Sequence, residues 1–199
     1  VGISNIDFRF FFTLIMGFYI ASNGAASIIV TSNAIYGIPD TNFLRRRTKA
    51  IIMTILIVIL FLFILIVPVF GKIIIDALTF VNMNEHITKT VTFTINILKG
   101  PLTWFIIFCF IKILYTMAPD RKLSSFYVNY GAVFTTVMWI IVTALYSYYI
   151  HHFANYAVFY GGLANIVMLM LWVYFLAYIF VIGMALNYKE EVIKLEKTG

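Results

Sequence analysis

Few side chains in this chain could do chemistry. Three histidines, His86, His151 and His152, have the ring that binds metals and moves protons near neutral pH. Glu85 stands beside His86, and imidazole with carboxylate is a zinc-type donor set. The spacing argues against such a site. His151 and His152 are sequence neighbours, so they point in different directions on any regular element, and there is no His-x-x-x-His pair. Phosphodiester cleavage calls for acids or paired histidines over the phosphate, often with two metals. The carboxylates Asp40, Asp120, Glu190, Glu191 and Glu196 are instead scattered, several of them beside lysines. No P-loop and no Gly-x-Ser-x-Gly elbow is present. Cys109 is the single cysteine and lies in an apolar run, where a thiol behaves as a small hydrophobe. No catalytic residue, metal or cofactor is expected.

The remaining polar residues of interest sit among apolar ones. Ser22, Asn23 and Ser27 interrupt an otherwise apolar segment, and Asn165 interrupts another. Two readings are open: hydrogen-bonding glue between helices, or the lining of a substrate path. Arg45, Arg46 and Arg47, with Lys49, directly precede an uncharged run. They serve either as a topology anchor or as a contact for an anionic headgroup.

The elements that carry these residues are membrane spans. Of 199 residues, 63% are hydrophobic and 11% charged, against about 25% charged in soluble domains. A chain of this size cannot hide that much apolar surface from water, so the bilayer must be its solvent. The fold class expected is an all-α polytopic membrane protein in one integral membrane domain, with five transmembrane helices in this chain. Spans are expected at about 8–30, 50–70, 101–117, 128–150 and 163–186. Gly17, Ala21 and Ala25 form a small-xxx-small face suited to close packing in the first. Ala50–Val67 has no charge at all, and Pro68 should kink or end its straight part. Pro101 is expected in the first turn of the third span, and Lys112 near its far end can snorkel. Loops are expected at 71–100 and 151–162 on the outer side, and at 37–49, 118–127 and 187–199 in the cytoplasm. The turn from His151 to Gly162, with Asn155, Tyr156, Tyr160 and Gly161, reads as the surface turn of a hairpin. Seven of the fifteen residues from Tyr146 to Tyr160 are Tyr or Phe, which settle at a membrane–water boundary.

The net charge of +6 could suggest nucleic acid, but the cations flank spans. Nine Lys and Arg fall on the side holding Arg45–Lys49, Arg121 and the terminal lysines, against four on the other, leaving aside Lys112 within a span. The positive-inside rule then puts the C-terminus in the cytoplasm and Val1 outside. With an outer start and no signal peptide, an odd number of upstream spans, most simply one, is expected.

Several stretches resemble the YihY/BrkB family of bacterial inner-membrane proteins, formerly labelled ribonuclease BN. They are Ala21-Ser22-Asn23-Gly24, Asn33-Ala34-Ile35-Tyr36-Gly37, the Arg45–Arg47 run, and Tyr115-Thr116-Met117-Ala118-Pro119-Asp120-Arg121-Lys122. Gly131-Ala132, Asn155-Tyr156 with Tyr160-Gly161, Leu171-Trp172-Val173-Tyr174, and Gly183 with Leu186-Asn187 complete the pattern. The resemblance implies six transmembrane helices in the full-length protein, both termini inside, in the bacterial plasma membrane. The family often carries a glutamate ahead of the terminal Leu-Asn, where this chain has Ala185, and Ser-x-Tyr-Gly-Ser in the turn, where it has Ala157 to Gly162. Nothing in the residues supports RNA cleavage. The leading expectation is a non-enzymatic protein that transports or organises an anionic envelope lipid or similar amphiphile. The alternatives are a structural or assembly protein and, behind it, a membrane-bound hydrolase. Membrane lipids are the expected partners and nucleic acid is not. Homo-oligomerisation is left open.

Overall fold

The computed structural model describes residues 8–39, 42–80, 85–153 and 162–198. Five helices account for nearly all of them: α1 (Phe8–Ile35), α2 (Phe43–Phe80), α3 (Glu85–Met117), α4 (Asn129–Phe153) and α5 (Gly162–Thr198). Four of these, over Arg9–Ile35, Lys89–Met117, Asn129–His152 and Asn165–Glu196, are long and apolar enough among the described residues to cross a membrane. The shortest helix has 25 residues, about 38 Å of rise against a hydrocarbon core of about 30 Å. α2 carries the uncharged run Ala50–Val67 and continues past Pro68 to Phe80. The all-α polytopic architecture expected from composition is the one observed.

The helices overrun the expected spans. The loop expected at 71–100 is helical at 71–80 and 85–100. Its Thr, Asn and Lys residues do not break a helix. Hydroxyls such as that of Thr94, which donates to the Thr90 carbonyl at 2.9 Å, bond within the helix instead. Pro101 consequently stands inside α3 and not in its first turn. Its missing N–H leaves the Ile97 carbonyl without the usual helical donor, and the helix runs through it. Residues 43–49 already belong to α2 and 187–198 to α5, so two segments expected as cytoplasmic loops are helical. The i,i+4 pair Glu190–Lys194, at 2.8 Å, supports the α5 extension. Residues 118–128 are non-helical, while the turn containing Asn155, Tyr156, Tyr160 and Gly161 lies outside the described residues.

α1 stops for a local reason. Gly37 takes a left-handed φ of 63°, and the Ile38 N–H donates back to the Asn33 carbonyl at 2.8 Å, the closing bond of a Schellman motif. Pro39 follows and cannot prolong the helix.

The chain divides into two compact units, residues 1–34 with 38–106, and residues 35–37 with 107–199. In the second, α4 and α5 form an antiparallel pair. Gly131 meets Gly183 and Asn187, the Trp139 indole N–H donates to the Leu176 carbonyl at 2.9 Å, and the Trp172 N–H donates to the Thr143 hydroxyl at 3.3 Å. One residue number rises as its partner's falls. Positions 131, 135, 139 and 143, each four apart, face the partner helix or the end of α3. Lipid tails are as apolar as Leu, so helices in a bilayer associate through close backbone approach and such polar links. A Cβ on Gly131 would meet the Gly183 carbonyl oxygen, and one on Gly183 would meet the Thr135 and Tyr115 hydroxyls. The small face expected on α1 is different: among the described residues Gly17 has nothing within 4 Å, Ala21 is exposed and Ala25 is buried. Gly131→Ala should therefore lower unfolding stability in detergent by about 2 kcal/mol or more, because backbone must move. Gly17→Ala should cost nothing; equal effects in a thermal unfolding series would refute this packing.

Candidate functional site

Each unit contains polar contacts between helices among the described residues. In the first, Arg47 sits in the second turn of α2 and turns toward α1. Its Nη1 donates to Asn23 Oδ1 at 2.7 Å and its Nη2 to the Tyr19 carbonyl at 2.6 Å. The guanidinium lies 3.5 Å from the Tyr19 ring centroid, a cation–π contact. Its Nε is buried without a partner. Ser22 is fully buried and donates to the Tyr19 carbonyl at 2.7 Å; Ser27 donates to the Asn23 carbonyl at 3.0 Å. The structure thus joins Asn23, expected as part of a polar path, to Arg47, expected as a headgroup contact. Arg46 is half-buried, and Arg45 is exposed at the start of α2. Asn165 is exposed in the first turn of α5 and belongs to the second unit.

In the second unit the link from α3 to α4, residues 118–128, is fastened to the extension of α5. Arg121 pairs with Glu191. The Arg121 guanidinium also lies 4.8 Å from the ring centroid of Tyr36, which meets Tyr188 edge-on at 5.4 Å. Lys194 stands 4.6 Å from the Phe126 ring. At the end of α3, the Tyr115 hydroxyl shares a hydrogen bond with Thr135 Oγ1 at 2.6 Å and donates to the Phe180 carbonyl at 2.8 Å. The Gly131 N–H donates to Asn187 Oδ1 at 2.6 Å, leaving Asn187 Nδ2 buried without a partner. Tyr36, Tyr115, Arg121, Gly131, Gly183 and Asn187 all come from the stretches that carry the family resemblance. Glu191 had no signal in the sequence beyond membership of a charged tail.

Tyr36 is 7% exposed, and burial pushes its phenol up to about 12 from an ordinary 10, with Glu191 adding to the rise and Arg121 opposing it. The histidines do not assemble. His151 Nδ1 lies 2.7 Å from the Ser147 carbonyl and His152 Nδ1 lies 2.9 Å from that of Tyr148, each on its own helix. The side chain of His86 is outside the described residues. Among the described residues no three His, Cys, Asp or Glu gather as a metal site.

Among the described residues, the second unit has two notable cavities. One of about 510 Å³ lies between α4 and α5 and is walled by apolar and aromatic side chains, among them Tyr146, Tyr149, Leu171 and Trp172. The other, about 400 Å³, is lined by Cys109, Lys112, Ile113, Thr116 and Met117 of α3 and by Ser125 of the α3–α4 link.

Long apolar helices with polar links between them define a multi-pass helical membrane protein. The chain belongs to the Virulence factor BrkB family, which it matches over residues 3–198. It is 36% identical over 178 residues to YfkH of Bacillus subtilis (strain 168), a protein named as ribonuclease-like, covering 88% of this chain and 63% of that one. It is 32% identical over 90 residues to the UPF0761 membrane protein IL2447 of Idiomarina loihiensis, covering 45% of this chain and 32% of the relative. A UPF0761 membrane protein of Chlorobium phaeobacteroides is 31% identical over 62 residues, 31% of this chain and 14% of the relative. The chain thus spans less than two thirds of the length of these relatives. No solved structure matches it. With these relatives and these helices, it is a multi-pass bacterial membrane protein.

Two outcomes test this geometry. A double-mutant cycle of Asn23→Ala with Arg47→Ala, read by unfolding in detergent, should give a coupling of about 1–2 kcal/mol. The same cycle with Arg45→Ala should give none. For Tyr36, the folded state holds its proton more tightly than the unfolded state. The stability it contributes is complete below pH 10 and lost as pH rises toward 12. Alkaline unfolding of Tyr36→Phe should accordingly be shallower across pH 10–12 than that of the parent; identical profiles would refute the assignment.

Proposed function

We propose that this chain is part of a non-enzymatic plasma-membrane protein that transports or organises an anionic lipid or similar amphiphile, with its C-terminus in the cytoplasm. The observation that carries this reading is the division of labour in Arg45–Arg47. Arg47 is drawn into the α1–α2 contact at Asn23, while Arg45 stays exposed two residues earlier with no ion pair among the described residues. A cation needed only for topology gains nothing from being held in place. A fixed Arg47 with a free Arg45 beside it favours recognition of a negative group at the membrane surface, where each such cation contributes about 1 kcal/mol. The partners in this reading are membrane lipids, not nucleic acid.

The name of YfkH raises ribonuclease chemistry. No observation favours it here, since His151 and His152 are engaged with carbonyls of their own helix. A second reading, a purely structural or assembly protein, draws on the same Asn23–Arg47 link, because polar glue between helices needs no substrate.

Movement of fluorescent anionic lipid in proteoliposomes separates the two. Full-length protein should accelerate it, and Arg45→Ala should abolish most of the effect while leaving the unfolding temperature unchanged, since Arg45 is exposed. Folded protein that moves no lipid, or Arg45→Ala with full activity, would favour the structural reading.

A further inference from the structure

The cavity beside α3 has a composition that membrane packing alone does not call for. Cys109, Lys112, Ile113 and Thr116 fall at i, i+3, i+4 and i+7, so they form one stripe of α3, and Ser125 closes the cavity from the α3–α4 link. Lys112 lies five residues before the end of α3, inside a segment apolar enough to span a membrane. The sequence alone suggests that its ammonium simply snorkels to the interface. In the structure it lines a concave space of about 400 Å³, and no carboxylate pairs with it among the described residues. A lysine within a spanning helix and without a carboxylate beside it is a marker of a ligand site. The Thr116 hydroxyl proton is committed to the Lys112 carbonyl at 2.8 Å, whereas the Ser125 hydroxyl is exposed and available to donate. The cavity thus offers one cation and one free hydroxyl donor, with Cys109, Ile113 and Met117 as apolar wall. Its volume lies in the range of small-ligand sites.

We infer that this cavity binds the head of an anionic amphiphile, with Lys112 as counter-ion, Ser125 as hydrogen-bond donor and the acyl chain lying along the Cys109–Ile113 face of α3. An ammonium is a point charge that accepts phosphate or carboxylate without demanding a planar fork, so the occupant is defined by negative charge joined to an acyl chain. The inference deepens the amphiphile reading above and rests on it. It concerns a cavity wholly within the second unit, remote in sequence from Arg45.

Cys109 supplies the probe, because it lines the cavity and is the single cysteine of this chain. Full-length protein, with Cys109 as its only thiol, would be placed in nanodiscs of phosphatidylglycerol or of phosphatidylcholine. Alkylation by N-ethylmaleimide, a neutral reagent that surface charge does not steer, would then be timed. Phosphatidylglycerol should slow alkylation several-fold relative to phosphatidylcholine. Lys112→Ala should erase the difference and Lys112→Arg should keep it. Equal rates in the two lipids, or a difference that survives Lys112→Ala, would overturn the site. Equal slowing by glycerol phosphate added to phosphatidylcholine discs would also overturn it, showing a free anion and not an amphiphile. Arg45→Ala leaves the cavity unaltered and should keep the protection. Protection without any lipid movement would leave this site standing and remove the transport reading; movement without protection would do the reverse.

Discussion

The first backbone N–H groups of a helix have no acceptor within it, and in a bilayer water is not there to replace one. α4 begins at Asn129 after Val128, an apolar residue that cannot cap it. Its Gly131 N–H is satisfied instead by Asn187 of α5, from 56 positions away in the chain. That bond requires the helices to be close, and closeness requires that positions 131 and 183 have no Cβ. The glycines and the asparagine are one device: remove the space and the cap is lost, remove the cap and a buried donor is left unpaired. Tyr115 extends it to a third helix, because its hydroxyl reaches Thr135 and the Phe180 carbonyl together.

This arrangement explains why α5 is longer than a membrane requires. Its last turns, past Asn187, are where the α3–α4 link is fastened. Glu191 takes Arg121, and Lys194 covers Phe126. The link is short of regular structure but buries Ala118, Pro119, Leu123 and Val128. It is therefore a packed segment and not a loose connection. Ser125, which closes the Lys112 cavity, is held in this link, so the shape of the cavity depends on the α5 extension that the link rests on.

The cations divide into two kinds. Arg47 and Arg121 are spent inside the protein, on Asn23 and Tyr19 in one unit and on Glu191 and Tyr36 in the other. Arg45 and Lys112 have no ion pair among the described residues, one exposed at the head of α2 and one lining a cavity. Arg suits the first task because its planar fork can meet a carbonyl and a side-chain oxygen at once while stacking on an aromatic ring. The net positive charge of the chain is a sum over both kinds, which is why it does not by itself identify a ligand.

The sequence by itself determined the solvent and the fold class. An excess of apolar residues with few charges leaves only helices that satisfy their own backbone, and the stop at Gly37 could be read locally because a left-handed turn favours glycine. Helix ends in water were not legible, because polarity marks where the bilayer stops and not where the helix does; α3 through Pro101 and α5 past Asn187 are the cases. Which small residues matter was also hidden. Gly17 and Gly131 look alike in a hydropathy pattern, but among the described residues Gly131 has another helix against it and Gly17 does not. The pairings Asn23–Arg47, Gly131–Asn187 and Arg121–Glu191 join positions 24, 56 and 70 residues apart. A one-dimensional spacing rule reaches one helical turn. Only the packing of helices decides which of two similar arginines turns inward, and which lysine finds a cavity in front of it.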